Sequence, residues 1–132
     1  MQIDDLNILF GQHPQVKAIG ERLVRGDKHV LLTGLHASAR ALTLSHMRTP
    51  LFIMLDNAEA AQYMYADLKG LGADTGFFPS SKRRRTIDNA AVIQRTETLT
   101  TLPRIIVTYP EAVAEPVPAK EELSAISFQL SV

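Results

Sequence analysis

The residues best placed to do chemistry run from His29 to Leu44, H-V-L-L-T-G-L-H-A-S-A-R-A-L-T-L. An apolar run, Val30-Leu31-Leu32, leads to Gly34, and Ser38 can cap a following helix. Strand, glycine turn and helix start, in that order, form the frame of a phosphate-binding loop. There the pattern G-x-x-x-x-G-K-[ST] supplies inward N–H groups, a lysine for the phosphates and a hydroxyl for magnesium. From Gly34 this chain reads G-L-H-A-S-A-R-A. Ala39 stands at the second glycine position, where a Cβ resists left-handed backbone. Arg40 keeps the lysine charge but presents it as a planar fork. Ala41 replaces the hydroxyl residue, so the metal ligand is gone. The expectation is a vestigial loop (Gly34, Ser38, Ala39, Arg40, Ala41) that binds no nucleotide, with only a weak anion attraction left at the helix start and Arg40. No G-x-G-x-x-G precedes Asp56 either, so that acid reads as a helix-start cap and not as a ribose ligand.

The other chemical candidates are sparse. Lys82, Arg83, Arg84 and Arg85 form a compact basic run that could meet phosphates or an acidic surface of another domain. No aromatic residue is interleaved with it, which disfavours single-strand stacking. His13, His29, His36 and His46 lack metal-ligand spacing, and the chain has no cysteine. Of the four, His36 alone lies in the Gly34 turn. Glu21, Glu59, Asp67, Asp88 and Glu97 fall on separate expected helices, with nothing to pair them as acid and base. Ser38 has no G-x-S-x-G frame and reads as a cap. Tyr63, Met64 and Tyr65 read as core and rim of a helix. No catalytic residue, metal or cofactor is expected.

The elements that must position these residues alternate in type. Pro14 suits a first helical position, Val16, Ile19, Leu23 and Val24 follow at helical spacing, and Gly26 ends that helix. Residues 1–13 read as a lead-in broken at Gly11. Val30–Leu32 reads as a strand buried on both faces. A helix from Ser38 carries Ala41, Leu42, Leu44 and Met47 inward and closes before Pro50. Leu51–Leu55 is a second strand. Asn57 caps a helix burying Ala58, Ala61, Tyr65 and Leu68, and a weak strand covers Thr75–Phe78. Residues 80–87 are irregular. Asp88 caps a helix to Leu102 with Val92, Ile93, Leu99 and Leu102 as its apolar set, Arg104–Thr108 is a strand, and Pro110 opens a short helical turn. This repetition predicts a three-layer α/β domain with a mainly parallel sheet of about four strands, degenerate relative to phosphate-loop NTPases.

At 132 residues, 45% hydrophobic and 21% charged, the chain fits one globular domain with a core. Its fourteen basic and fourteen acidic residues cancel, so no global charge draws it to nucleic acid or membrane. No apolar run approaches a membrane span, and the acidic start, M-Q-I-D-D-L, is no secretory signal. A stiff P-V-P follows at 116–118, and Leu123–Val132 alternates loosely, like one edge strand. The expected division is residues 1–118 for the α/β domain and 119–132 for the start of another, truncated, in a fragment of a longer protein.

Several segments together carry a family resemblance. They are G-L-H-A-S-A-R-A-L from Gly34, Asp56 with A-E-A-A-Q-Y-M-Y-A-D-L at 58–68, F-F-P-S at 77–80, R-T-E-T-L at 95–99 and I-I-V-T-Y-P-E-A-V at 105–113. From roughly Leu9 to Pro118 the chain resembles the N-terminal region of the bacterial transcription-repair coupling factor. That region is itself similar to the first domain (1a) of excinuclease B, the damage-recognition helicase of nucleotide excision repair. In excinuclease B the phosphate loop is intact; in the coupling factor's copy it is typically degenerate, as at Gly34–Ala41 here. Excinuclease B also carries a long aromatic hairpin that clamps damaged DNA, whereas S-S-K-R-R-R-T-I-D is short and lacks tyrosine. The resemblance implies a non-catalytic, monomeric, cytoplasmic scaffold domain, followed by an inserted domain that binds excinuclease A. The full-length family member is an ATP-dependent DNA translocase that displaces stalled RNA polymerase and recruits the repair proteins. The alternative is a nucleotide- or DNA-binding helicase-type domain of the excinuclease B kind, with residual anion binding through Arg40 and the basic run.

Overall fold

The structure, a computed structural model, describes residues 2–122, and of Arg83 the backbone alone. Two helices open the chain, α1 (Ile3–Gly11) and α2 (Pro14–Arg25), followed by α3 (Ala39–Ser45). Then come β1 (Leu51–Met54), α4 (Ala58–Gly70), β2 (Thr75–Phe77), a small pair β3 (Lys82–Arg83) and β4 (Thr86–Ile87), α5 (Asn89–Thr101), β5 (Ile105–Thr108) and α6 (Pro110–Ala114).

The helix boundaries follow local chemistry. Pro14 is the first residue of α2, the His13 side chain accepts from Gln15 N, and Gly26 closes the helix at φ 88°. Asn57 accepts from Ala60 N to start α4, and Asp88 accepts from Ala90 N and Ala91 N to start α5. These are the side-chain acceptors and the left-handed glycine that free helix ends require. Asp56 is therefore not the cap; its neighbour Asn57 is. Ser38 stands at the start of α3 but caps nothing with its side chain, which donates to Asp67 at 3.4 Å instead.

The main sheet has three parallel strands in the order β1-β5-β2. Leu51, Ile105 and Thr75 share one register row, Phe52, Ile106 and Gly76 the next, and Ile53, Val107 and Phe77 the third. The first and third rows point to α4, where Ala61, Met64 and Leu68 meet Ile105, Val107 and Phe77 in the core. Tyr65 and Tyr109 tilt against the Phe77 ring at 5.5 and 6.2 Å. The middle row points to α5. There Gly76 lets the helix come close: a Cβ at this position would lie 2.6 Å from Pro103 Cγ and 3.1 Å from Thr98 Cγ2. Helices thus lie on both faces of an α/β sheet, as the alternation implies. The cover is uneven, because α5 packs over β2 and leaves Phe52 58% and Met54 51% exposed on β1.

The fourth strand, expected at Val30–Leu32, does not form. Residues 27–36 have no regular secondary structure, and Leu31 is 88% exposed. Three apolar residues carry too little signal to tell a buried strand from an apolar loop. Three further differences stand out. Residues 3–11 form a helix where a lead-in was expected. Residues 82–87 form an antiparallel pair where irregular chain was expected. The face that α5 buries is Arg95, Thr96 and Thr98, whereas Val92, Ile93 and Leu102 are exposed. The expected strand over 123–132, and with it most of the expected second domain, lies outside the described residues.

The close approach at Gly76 gives a direct test. Gly76→Ala should destabilise the chain by about 1–3 kcal/mol through overpacking against Thr98 and Pro103. A lower urea midpoint at unchanged m-value is the expected readout.

Candidate functional site

Gly34 sits in the left-handed region at φ 79°, as a tight turn demands, with open space where a Cβ would be. The residue next to adopt that conformation is Ala37, at φ 48°. Ala39, at the expected second glycine position, is already the first residue of α3 and helical. So the loop does not curl around an anion. It makes a turn at Gly34, a second at Ala37, and then enters a helix of seven residues. No sheet strand leads into it, so the strand–turn–helix corner expected from His29 to Leu44 is not present.

The side chains agree with the backbone. Arg40 is exposed and has no ionic partner among the described residues. Ala41 points the other way: it is 1% exposed and belongs to the core that α4 and the sheet share. A hydroxyl here would face apolar side chains and could not reach a metal beside Gly34. Thr43, also buried, gives its hydroxyl to Ala39 O at 2.8 Å. A groove of about 530 Å³ does adjoin the Gly34 turn, between α2 and residues 30–35. Its walls include Phe10, Val16, Ile19, Leu31, Leu32 and Leu35, and Arg40 is not part of them. His13, Gln15, Arg22 and Thr33 complete a mixed lining.

The basic run takes a defined shape. Lys82 pairs with Ile87 and Arg83 with Thr86, and Arg84 and Arg85 make the turn between them. Arg84 is left-handed at φ 60°, and Lys82, Arg84 and Arg85 are exposed. Asp88 N donates to Ser81 O at 2.8 Å and closes the base of this hairpin.

Behind the base lies a polar cluster that the residue pattern did not single out. Arg95 projects from α5 and is 8% exposed in its side chain. Its guanidinium donates to Pro79 O at 3.0 Å, Ala112 O at 2.8 Å and Glu115 O at 3.1 Å, and lies 3.9 Å from the centre of the Phe78 ring. The Glu115 carboxylate accepts from the hydroxyls of Ser80 and Ser81 and from Ser81 N. Its nearer oxygen is 3.8 Å from Arg95 Nε. Tyr109 Oη accepts from Ser80 N at 2.8 Å. Thr98 and Thr108 donate to Phe77 O and Phe78 O. Burial lowers the Arg95 pKa, partly opposed by the Glu115 charge. For Glu115, burial pulls upward, but the bonds from Ser80 and Ser81 and the Arg95 charge outweigh it and hold the carboxyl below its ordinary value. The signal that could have flagged this cluster is compositional: an arginine among threonines on a helix, facing a Ser-Ser pair and a glutamate after a proline-started turn.

The histidines stay apart. His13 is a cap, His29 and His36 are exposed, and His46 stacks on Phe10 at 6.4 Å. Among the described residues no group of three His, Asp or Glu side chains could hold a metal ion, and no helix is long and apolar enough to cross a membrane. Compared with known protein families, curated proteins and solved structures, the chain matches none at a significant level.

Glu115 makes stability pH-dependent with a fixed sign. Its folded pKa lies below the ordinary 4.5, so its contribution is complete above that value and is lost as pH falls through the lowered one. Urea midpoints should therefore drop on acidification below about pH 4.5. Glu115→Gln should lower the neutral-pH midpoint and flatten that acid limb.

Proposed function

We propose that this chain is a non-catalytic scaffold domain, the N-terminal domain of a bacterial transcription-repair coupling factor. The observation that carries the non-catalytic reading is the burial of Ala41 in the core, at the position where a phosphate loop needs a metal-binding hydroxyl. The absence of a strand ahead of Gly34 points the same way. The family assignment rests on the segment pattern, and three of its segments meet in space. F-F-P-S, R-T-E-T-L and I-I-V-T-Y-P-E-A-V supply Phe78, Pro79, Ser80, Arg95 and Ala112 to one cluster, which Glu115, just beyond the last segment, completes. Segments that jointly fix a fold, and that hold no reactive group in a cavity, fit a supporting role.

In this proposal the domain works in the cytoplasm as a monomeric platform. The following domain recruits excinuclease A, and the full-length protein acts on DNA and stalled RNA polymerase by ATP-driven translocation. This chain hydrolyses nothing itself. A thermal-shift titration with magnesium and ATP tests it. The expected result is no rise in Tm. A rise that saturates with ATP and disappears in Arg40→Ala overturns the non-catalytic reading.

One observation favours the second reading, a nucleic-acid-binding domain of helicase type: the hairpin holds Lys82, Arg84 and Arg85 exposed at a defined site. Phosphate contacts of this kind release counterions, so binding would weaken steeply with salt. Fluorescence anisotropy with a labelled duplex should show no binding even at low salt if the scaffold reading holds. Binding at low salt that is lost on replacing Arg83, Arg84 and Arg85 by alanine would establish the second.

A further inference from the structure

A second groove, of about 640 Å³, lies on the other side of α2, bounded by the end of α1 and the turn between α3 and β1. We propose that it binds a small phosphorylated compound through the phosphate group, with Lys17 and Arg48 as the charged ligands. Three observations support this.

First, the charge is available. Lys17 and Arg48 both line the groove, are exposed, and have no hydrogen-bonding or ionic partner among the described residues. Arg25 also lines it but is committed to Asp27 at 2.7 Å, and Glu21 is the one acid in the lining. Two unpaired cations facing one groove, in a chain of zero net charge, mark a local site for an anion.

Second, the space is kept open at a cost to the helix. Gly20 lies inside α2, where glycine is less favourable than alanine. No packing demand explains it: a Cβ there would meet only Met47 Sδ, at 3.9 Å. Any larger side chain at this position would project toward the groove that Gly20 lines.

Third, a polar atom in the wall is unsatisfied. The His46 ring is held against Phe10, and Gly11 packs so tightly on it that a Cβ would fall 2.5 Å from Cε1. Its Nε2 is buried without a hydrogen-bond partner among the described residues. The volume suits a small molecule, and the groove is walled on three sides by α1, α2 and the α3–β1 turn.

The test is a titration of the whole chain with inorganic phosphate at constant ionic strength, followed by amide and imidazole NMR. Saturable shifts centred on Gly20, Glu21, His46 and Arg48 are expected, including the His46 ring signals. Lys17→Ala with Arg48→Ala, both surface changes, should weaken the apparent affinity at least about tenfold. Gly20→Leu should abolish the shifts while the amide spectrum of α4 and the sheet is retained. Linear, non-saturating shifts, or saturable binding that the double variant leaves unchanged, overturn the proposal. So does a short single-stranded oligonucleotide that displaces phosphate from these residues more strongly than glucose 6-phosphate does, since the site would then belong to a nucleic-acid backbone.

Discussion

The guanidinium of Arg95 is the constraint on which the α5 side of this fold depends. A buried cation is tolerated when it is hydrogen-bonded and paired, and here three backbone carbonyls accept from it while the Glu115 carboxylate lies 3.8 Å from Nε. The three carbonyls come from three places: the segment after β2, the helix after β5, and the residue that follows it. Each would otherwise leave an acceptor facing the interior. By collecting them on one planar fork, Arg95 fixes where the chain leaves β2 and where it leaves β5. Glu115 completes the arrangement by taking the hydroxyls of Ser80 and Ser81, which form the foot of the basic hairpin. The hairpin's direction is therefore set by buried polar chemistry, not by its own two short strands, which could not stand alone.

This explains which parts of the architecture could be read from residue order. Helix ends were legible at Pro14, Gly26, Asn57 and Asp88, because capping is local chemistry written in one or two residues. The strands at 51–54 and 105–108 were legible because compact apolar runs lay between expected helices, whereas Thr75-Gly76-Phe77 gave only a weak strand signal. What escaped was whatever depended on tertiary partners. Val30–Leu32 has the composition of a strand but no neighbour to pair with among the described residues. On α5 the apolar spacing pointed to Val92 and Ile93, yet the face turned inward is the one whose Thr98 and Arg95 can satisfy carbonyls across the Gly76 gap. Hydrophobic periodicity has no means of registering a helix that is docked by hydrogen bonds. The hairpin at 82–87 was hidden by its charges, since four consecutive basic residues carry no strand signal.

The Gly34 segment shows how a motif can be judged on position as well as on letters. Residue by residue it differs from a phosphate loop at its second glycine, its lysine and its hydroxyl. In space the difference is larger, because Ala41 has become part of the core. Restoring a serine there would bury a hydroxyl among apolar side chains and would not rebuild a metal site. The groove that remains beside the turn has leucines, Ile19 and Phe10 in its walls, with His13, Gln15 and Arg22 among them. Arg40, without an ionic partner among the described residues, lies outside that groove.

The strand order β1-β5-β2 also dictates the sequence of events by which the molecule can be made. The central strand is the last of the three to be synthesised. As the chain leaves the ribosome, β1 and then β2 emerge with no hydrogen-bonding partner, and Leu51 must wait for Ile105 before either can enter a sheet. During that interval α4 can form on its own caps but has only unpaired strands to pack on. Assembly is therefore held back until Thr108 is in place, and then β5 can zip to both neighbours at once. A nascent chain stopped short of that point would expose L-F-I-M at 51–54 as an unprotected apolar segment.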